Sequence, residues 1–163
     1  LHTIGDFERL GDHAVNLRKT AEEIHDKHIV FSEDAVKELQ NLTNALTEIL
    51  ELTIDAFQKN DDQLAGHVEP LEEVIDSLSI EMRQRHIERL RRGACSLEAG
   101  LILEDILTGY ERVSDHCSNV AVCMIEIHAD EYETHEYLNL TTKGSSPWFQ
   151  KEYAKRKQEY LLP

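Results

Sequence analysis

Residues 109–119 read GYERVSDHCSN, and residues 6–16 read DFERLGDHAVN. A shift of 103 residues lays one on the other. Glu8 meets Glu111, Arg9 meets Arg112, Asp12 meets Asp115, His13 meets His116 and Asn16 meets Asn119. Further on, Glu23 meets Glu126 and His25 meets His128. The apolar positions coincide as well: Phe7 with Tyr110, Leu10 with Val113, Leu17 with Val120. Any two bundle helices can share an apolar seam, but polar identities in phase with it mark a direct internal repeat. A period of this length holds about three helices. The chain is therefore expected to start at the last helix of one unit and to continue through a complete second unit. Two helices would then lie upstream.

Working outward from these stretches, apolar spacing predicts four long helices. The first, about Thr3–Lys27, carries the seam Phe7, Leu10, Ala14, Leu17, Ala21 and Ile24 at alternating steps of three and four. Such spacing suits helices crossing at about 20°. The second, about Glu33–Lys59, follows a Ser32 cap and an expected staple of Phe31 on Val36. Its expected buried set is Val36, Leu39, Leu42, Leu46, Ile49, Leu50 and Phe57. The third, about Asp61–Arg92, opens on an Asn60/Gln63 capping box and should kink at Pro70. Its seam is Leu64, Val68, Leu71, Ile75, Leu78 and Met82, and Gly93 closes it. The fourth, about Leu97–His128, is capped by Ser96 and has the seam Leu103, Ile106, Tyr110, Val113, Cys117, Val120, Met124 and Ile127. Short links between long helices give antiparallel neighbours. The expected fold is an all-α, up-and-down antiparallel bundle over residues 1–128. Residues 129–163 form a tail with a short helix opened by Pro147. Residues 141–163 carry five Lys or Arg against two Glu, so this tail is basic. It can lie on the acidic body, on another copy, on a partner, or in solvent.

Composition narrows the function. The formal charge of the 163-residue chain is −15, with 17 Lys+Arg against 32 Asp+Glu. A surface of this sign repels nucleic acid and anionic membranes. No apolar run reaches membrane-spanning length, and no signal peptide is evident. Three cysteines (Cys95, Cys117, Cys123) in no disulfide pattern point to a reducing, cytoplasmic compartment. No Gly-rich phosphate loop, Ser/His/Asp arrangement or Cys-x-x-Cys is present, and no enzyme is expected. Glu22 and His25 give one Glu-x-x-His spacing, but Ile125 stands where the repeat needs a second Glu, which argues against a di-iron oxidase.

The chemistry that stands out is Glu-x-x-x-Asp. Residues four apart project from one helix face, so Glu8/Asp12, Glu72/Asp76 and Glu111/Asp115 each present two carboxylates together. Glu104 lies on the same stripe as Glu111. Like charges so placed need a neutralising partner, either arginine or a metal cation. Facing helices of this kind can form a carboxylate cage for iron, manganese, magnesium, calcium or zinc. The spacing is also common on any acidic helix, with Arg9 and Arg112 screening their neighbours. For His13, His25, His28, His86, His116 and His128, surface or core roles are the ordinary expectation.

ERLGDHAVNL and ERVSDHCSNV resemble the repeated signature of PhoU-type proteins, with Ser114 standing where the first copy has Gly11. EEVIDSLSIEM, residues 72–82, resembles that family's middle-helix signature, and the resemblance covers about residues 1–128. The HEYLN run at 135–139 is similar to tails of PhoU-like regions at the C-terminal end of bacterial sodium/phosphate cotransporters. The resemblance implies three-helix repeat units and control of phosphate uptake from the cytoplasmic face of the membrane. It also implies a partner that is either a transport domain of the same protein or a separate membrane phosphate transporter, together with a homodimer. It implies a multinuclear metal cluster, iron or zinc, with Glu72, Asp76, Glu111 and Asp115 as ligands and Glu8 and Asp12 in a partial second site. The alternative is a metal-independent helical scaffold for dimerisation or docking.

Overall fold

The computed structural model describes residues 2–131 and 146–163. All regular structure among them is helical: α1 (His2–Asp26), α2 (Glu33–Lys59), α3 (Asp62–Gly66), α4 (Val68–Arg91), α5 (Leu97–Glu131) and α6 (Pro147–Glu159). The HEYLN run and the loop at 141–145 lie outside the described residues.

Helices α2, α4 and α5 enclose the core. Leu42, Ile49, Leu71, Val74, Ile75, Met82, Leu107, Cys117 and Val120 are fully buried there. Each large apolar side chain so buried contributes ~1.5–3 kcal/mol. The pairs Thr43–Tyr110 and Thr53–Cys117 advance in the same direction, so α2 runs parallel to α5. The pairs Asp6–His116 and Thr3–Cys123 advance oppositely, so α1 is antiparallel to α5. The up-and-down bundle is thus the observed arrangement.

The helix ends follow their local chemistry. Ser32 Oγ accepts from the Ala35 amide and Ser96 Oγ from the Ala99 amide. At Gly93 the backbone turns left-handed (φ +66°), the Gly93 amide bonds Leu90 O and the Ala94 amide bonds Arg89 O. That pair of bonds is a Schellman closure, which glycine enters without a Cβ penalty.

Four expectations are corrected. Asn60 does not open the third helix: it closes α2 in the left-handed region (φ 52°), and Asp61 caps α3 by accepting from the Gln63 and Leu64 amides. The kink at Pro70 is an interruption at His67 that divides α3 from α4. Pro70 has no N–H to offer Gly66 O, and at the break the His67 amide makes a tighter three-residue bond to Leu64 O. Val36 and Phe57, expected in the buried set, are exposed, while Phe31 packs on the core. The inner face of α2 is set by Ala35, Glu38, Leu42, Ala45 and Ile49, whose short alanines allow close approach. Ile127, at the end of the expected seam of α5, is also exposed.

The basic segment lies on the body. α6 is capped by Ser146 and packs on α4, and the chain beyond it inserts Tyr160 and Leu162 into the core. Arg156 binds Glu48 and Glu152, Tyr160 OH donates to Glu48, and Asn41 Nδ2 donates to Tyr160 O at 2.6 Å. No helix among the described residues is long and apolar enough to cross a membrane.

Candidate carboxylate face between α4 and α5

Two contacts fix the register of α4 against α5. Ser118 Oγ donates to Glu69, and Arg83 reaches Glu104, a separation of 14 residues on either helix. Glu72 therefore stands level with Asp115, and Asp76 with Glu111. The fold brings the two complete Glu-x-x-x-Asp motifs side by side along one helix pair. Glu72 is buried, Asp76 and Glu111 are half-buried, and Asp115 is exposed.

Glu8 and Asp12 do not join them. Both are exposed on α1. That helix meets α5 through Asp6–His116 (2.9 Å), the stacked rings of His13 and His116, and Leu17 against Gly109. The positions contacting α1 (109, 116) and those contacting α4 (104, 111, 118) fall on roughly opposite flanks of α5 at 3.6 residues per turn. His116 is thus directed at α1 and away from the paired motifs.

The neutralising group is one the sequence reading did not name. Arg83 Nη1 and Nη2 donate to the two oxygens of Glu111 at 2.5 and 2.9 Å. Its Nε donates to both oxygens of Glu104 at 3.0 and 2.9 Å. Hydrogen bonds to Glu111 and then Glu104 raise the guanidinium further above its ordinary pKa. A usable signal existed, since Arg83 stands seven residues after Asp76 on the stripe of Glu72 and Asp76. Tested as a metal centre, the donor set as arranged does not fit. Both oxygens of Glu111 accept from Arg83. Among the described residues no group of three or more His, Cys, Asp or Glu side chains is gathered to hold an ion.

A second ionic knot was likewise unforeseen. Glu38, on the inner face of α2, receives Arg89 bidentately at 2.9 and 2.8 Å and Arg85 at 3.2 Å. These residues border a cavity of about 700 Å³ with Asp34, Glu88 and Arg92. On the neighbouring turn, buried His86 faces Cys95 Sγ at 3.8 Å. Burial, then the charge of Arg89, lowers its pKa against the opposing pull of Glu38. Cys117 is a core thiol that burial pushes up to about 11, so it is un-ionised at neutral pH.

The segments of α4 and α5 that carry these motifs fall within the stretch for which a known family is found. The PhoU domain description covers residues 39–124, from within α2 to within α5. This chain belongs to the PhoU domain family. The PhoU match takes in the paired motifs on α4 and α5 and leaves out α1 and α6. Over 140 residues the chain is 29% identical to a protein of Thermotoga maritima named phosphate-specific transport system accessory protein PhoU homolog 1. The alignment covers 86% of this chain and 59% of that relative's length. No solved structure matches the chain.

Proposed function

We propose that this chain is a regulatory, non-catalytic module of a phosphate uptake system, acting at the cytoplasmic face by docking its helical bundle on the membrane transport component. The observation that carries the reading is the PhoU match over α2–α5, the part of the molecule with a buried core and the paired carboxylate motifs. The name of the Thermotoga maritima relative supports the assignment to phosphate transport. The charge of −15 supports a protein partner over bare lipid, because anionic headgroups repel an acidic surface. The finer form of the reading is that the transport component is a sodium/phosphate cotransporter domain of the same polypeptide, and the HEYLN run supports it. Docking of this kind needs no metal, and the hold of Arg83 on Glu111 favours a metal-independent scaffold over a cluster-bearing one.

The test is sedimentation of the purified chain with membranes that carry the phosphate transport component and with protein-free vesicles of the same lipids. Uptake of labelled phosphate by cells with and without the protein accompanies it. Transporter-dependent sedimentation, together with altered uptake on loss of the protein, is the expected result. Equal sedimentation with both membranes and unchanged uptake would overturn the reading.

A further inference from the structure

We infer that Arg83 is the resident cation of the α4–α5 carboxylate face and holds the place a divalent ion would otherwise take. Three observations combine. First, the register sets Glu72 and Asp76 level with Asp115 and Glu111, so the face concentrates negative charge that requires a counter-charge. Second, Arg83 supplies that charge with geometry matched to carboxylates. One side of its fork closes on Glu111, and Nε lies between the two oxygens of Glu104. A planar guanidinium can serve two carboxylates at once, which a lysine point charge does less well. Third, the side chains of Arg83 and Glu111 are each about three-quarters withdrawn from solvent (27% and 26% exposed), so the pair is less screened than an ion pair on an open surface.

The consequence is a competition. A hard cation shared by both Glu-x-x-x-Asp motifs would take Glu111 as one of its donors. It could take it only by displacing Arg83, and the displaced guanidinium would remain nearby as a like charge. Arg83 therefore already occupies the Glu104/Glu111 end of the face when no metal is bound. The inference concerns the isolated protein and does not depend on the proposed transport partner.

Untagged protein, stripped with chelator and dialysed against manganese, ferrous iron or zinc, provides the test. Retained metal is read by plasma mass spectrometry and Tm by calorimetry, for wild type and for Arg83→Met. Wild type should retain no stoichiometric metal and keep the same Tm with and without each ion. Arg83→Met should have a lower Tm in chelator and recover it with a divalent ion, since a ligand that binds only the folded state raises Tm. The added Glu111→Gln change should abolish that recovery. Should Arg83→Met fail to fold, Arg83→Lys serves in its place. It keeps the charge without the fork and should show a smaller Tm loss and a weaker metal response in the same direction. Stoichiometric metal in wild type that is lost in Glu111→Gln would overturn the inference. So would variants at position 83 with wild-type Tm and no response to metal.

Discussion

Glu38 exposes 1% of its surface and binds two guanidinium groups. Removing one partner of a buried pair leaves the other charge uncompensated, which costs more than the pair itself contributes. Glu38→Gln should lower the unfolding free energy by about 3 kcal/mol, read from urea titration. Arg89 bears most of the loss, since Arg85 also holds Glu81 and the Pro163 carbonyl. The double change Glu38→Met/Arg89→Met should be less damaging than Glu38→Gln alone. Histidines give a pH signature. Burial lowers the pKa of His13 below 6.5, reinforced by the charges of His116 and Arg112 and opposed by Asp12. His86 is lowered chiefly by burial. The unfolded chain then binds protons that the folded chain refuses, so this stability is present above the unfolded pKa of about 6.5 and is lost as pH falls below it. Urea midpoints measured downward from neutral pH should decline, and His13→Gln with His86→Gln should flatten the decline. The acidic half of this picture was legible, because four-residue spacing places carboxylates on a common face. The basic half was legible only in part. Spacing puts Arg83 on the Glu72/Asp76 stripe and Arg85 with Arg89 on another face of the same helix, but which carboxylate each face meets, Glu111 or Glu38, is set by tertiary packing.

Helices divide by how far their ends and faces could be read. The caps at Ser32 and Ser96 and the closure at Gly93 are local chemistry, and they were visible as such. The interruption at His67 was anticipated at Pro70 as a bend only, because a missing donor is visible in the sequence while the local backbone turn at His67 is not. The inner face of α2 was misread at Val36 and Phe57, since small alanines pack inward there while larger apolar residues lie outside. Glycines within helices separate the two levels further. Gly11 has nothing within 4 Å of an added Cβ. Gly11→Ala should therefore stabilise α1 by about 1 kcal/mol through propensity alone. At Gly100 an added Cβ would stand 2.4 Å from Nε2 of the buried His86 ring. Gly100→Ala should destabilise by about 1–3 kcal/mol, despite the better helix former, because the core must open. Thermal melts of the two variants should shift in opposite directions.

Taken whole, the molecule is a three-helix core carrying two unlike additions. On one side α6 and the residues after it are tied down by Phe149, Tyr160 and Leu162 and by the ties of Arg156 and Tyr160 to Glu48. A chain ending at residue 146 should lose several degrees in Tm and bind a hydrophobic dye, since apolar core surface is uncovered. The basic character of this segment was readable, but its berth was not, because charge complementarity names a surface without choosing one. On the opposite flank, α1 has no fully buried residue among those whose burial is described. It rests on half-buried Phe7, Leu10 and Leu17 and on the Asp6–His116 bond. Phe7 also meets Phe57 of α2 edge-on, but a helix whose contacts are all half-exposed can open while the rest stays folded. In deuterium, the amides of α1 should therefore exchange well before those of α2, α4 and α5, at an opening free energy below that of global unfolding. Matching protection in all four helices would mean that α1 is bound into the cooperative unit after all. The stretch that repeats the signature most faithfully is thus the one that, among its described residues, commits no side chain fully to the core.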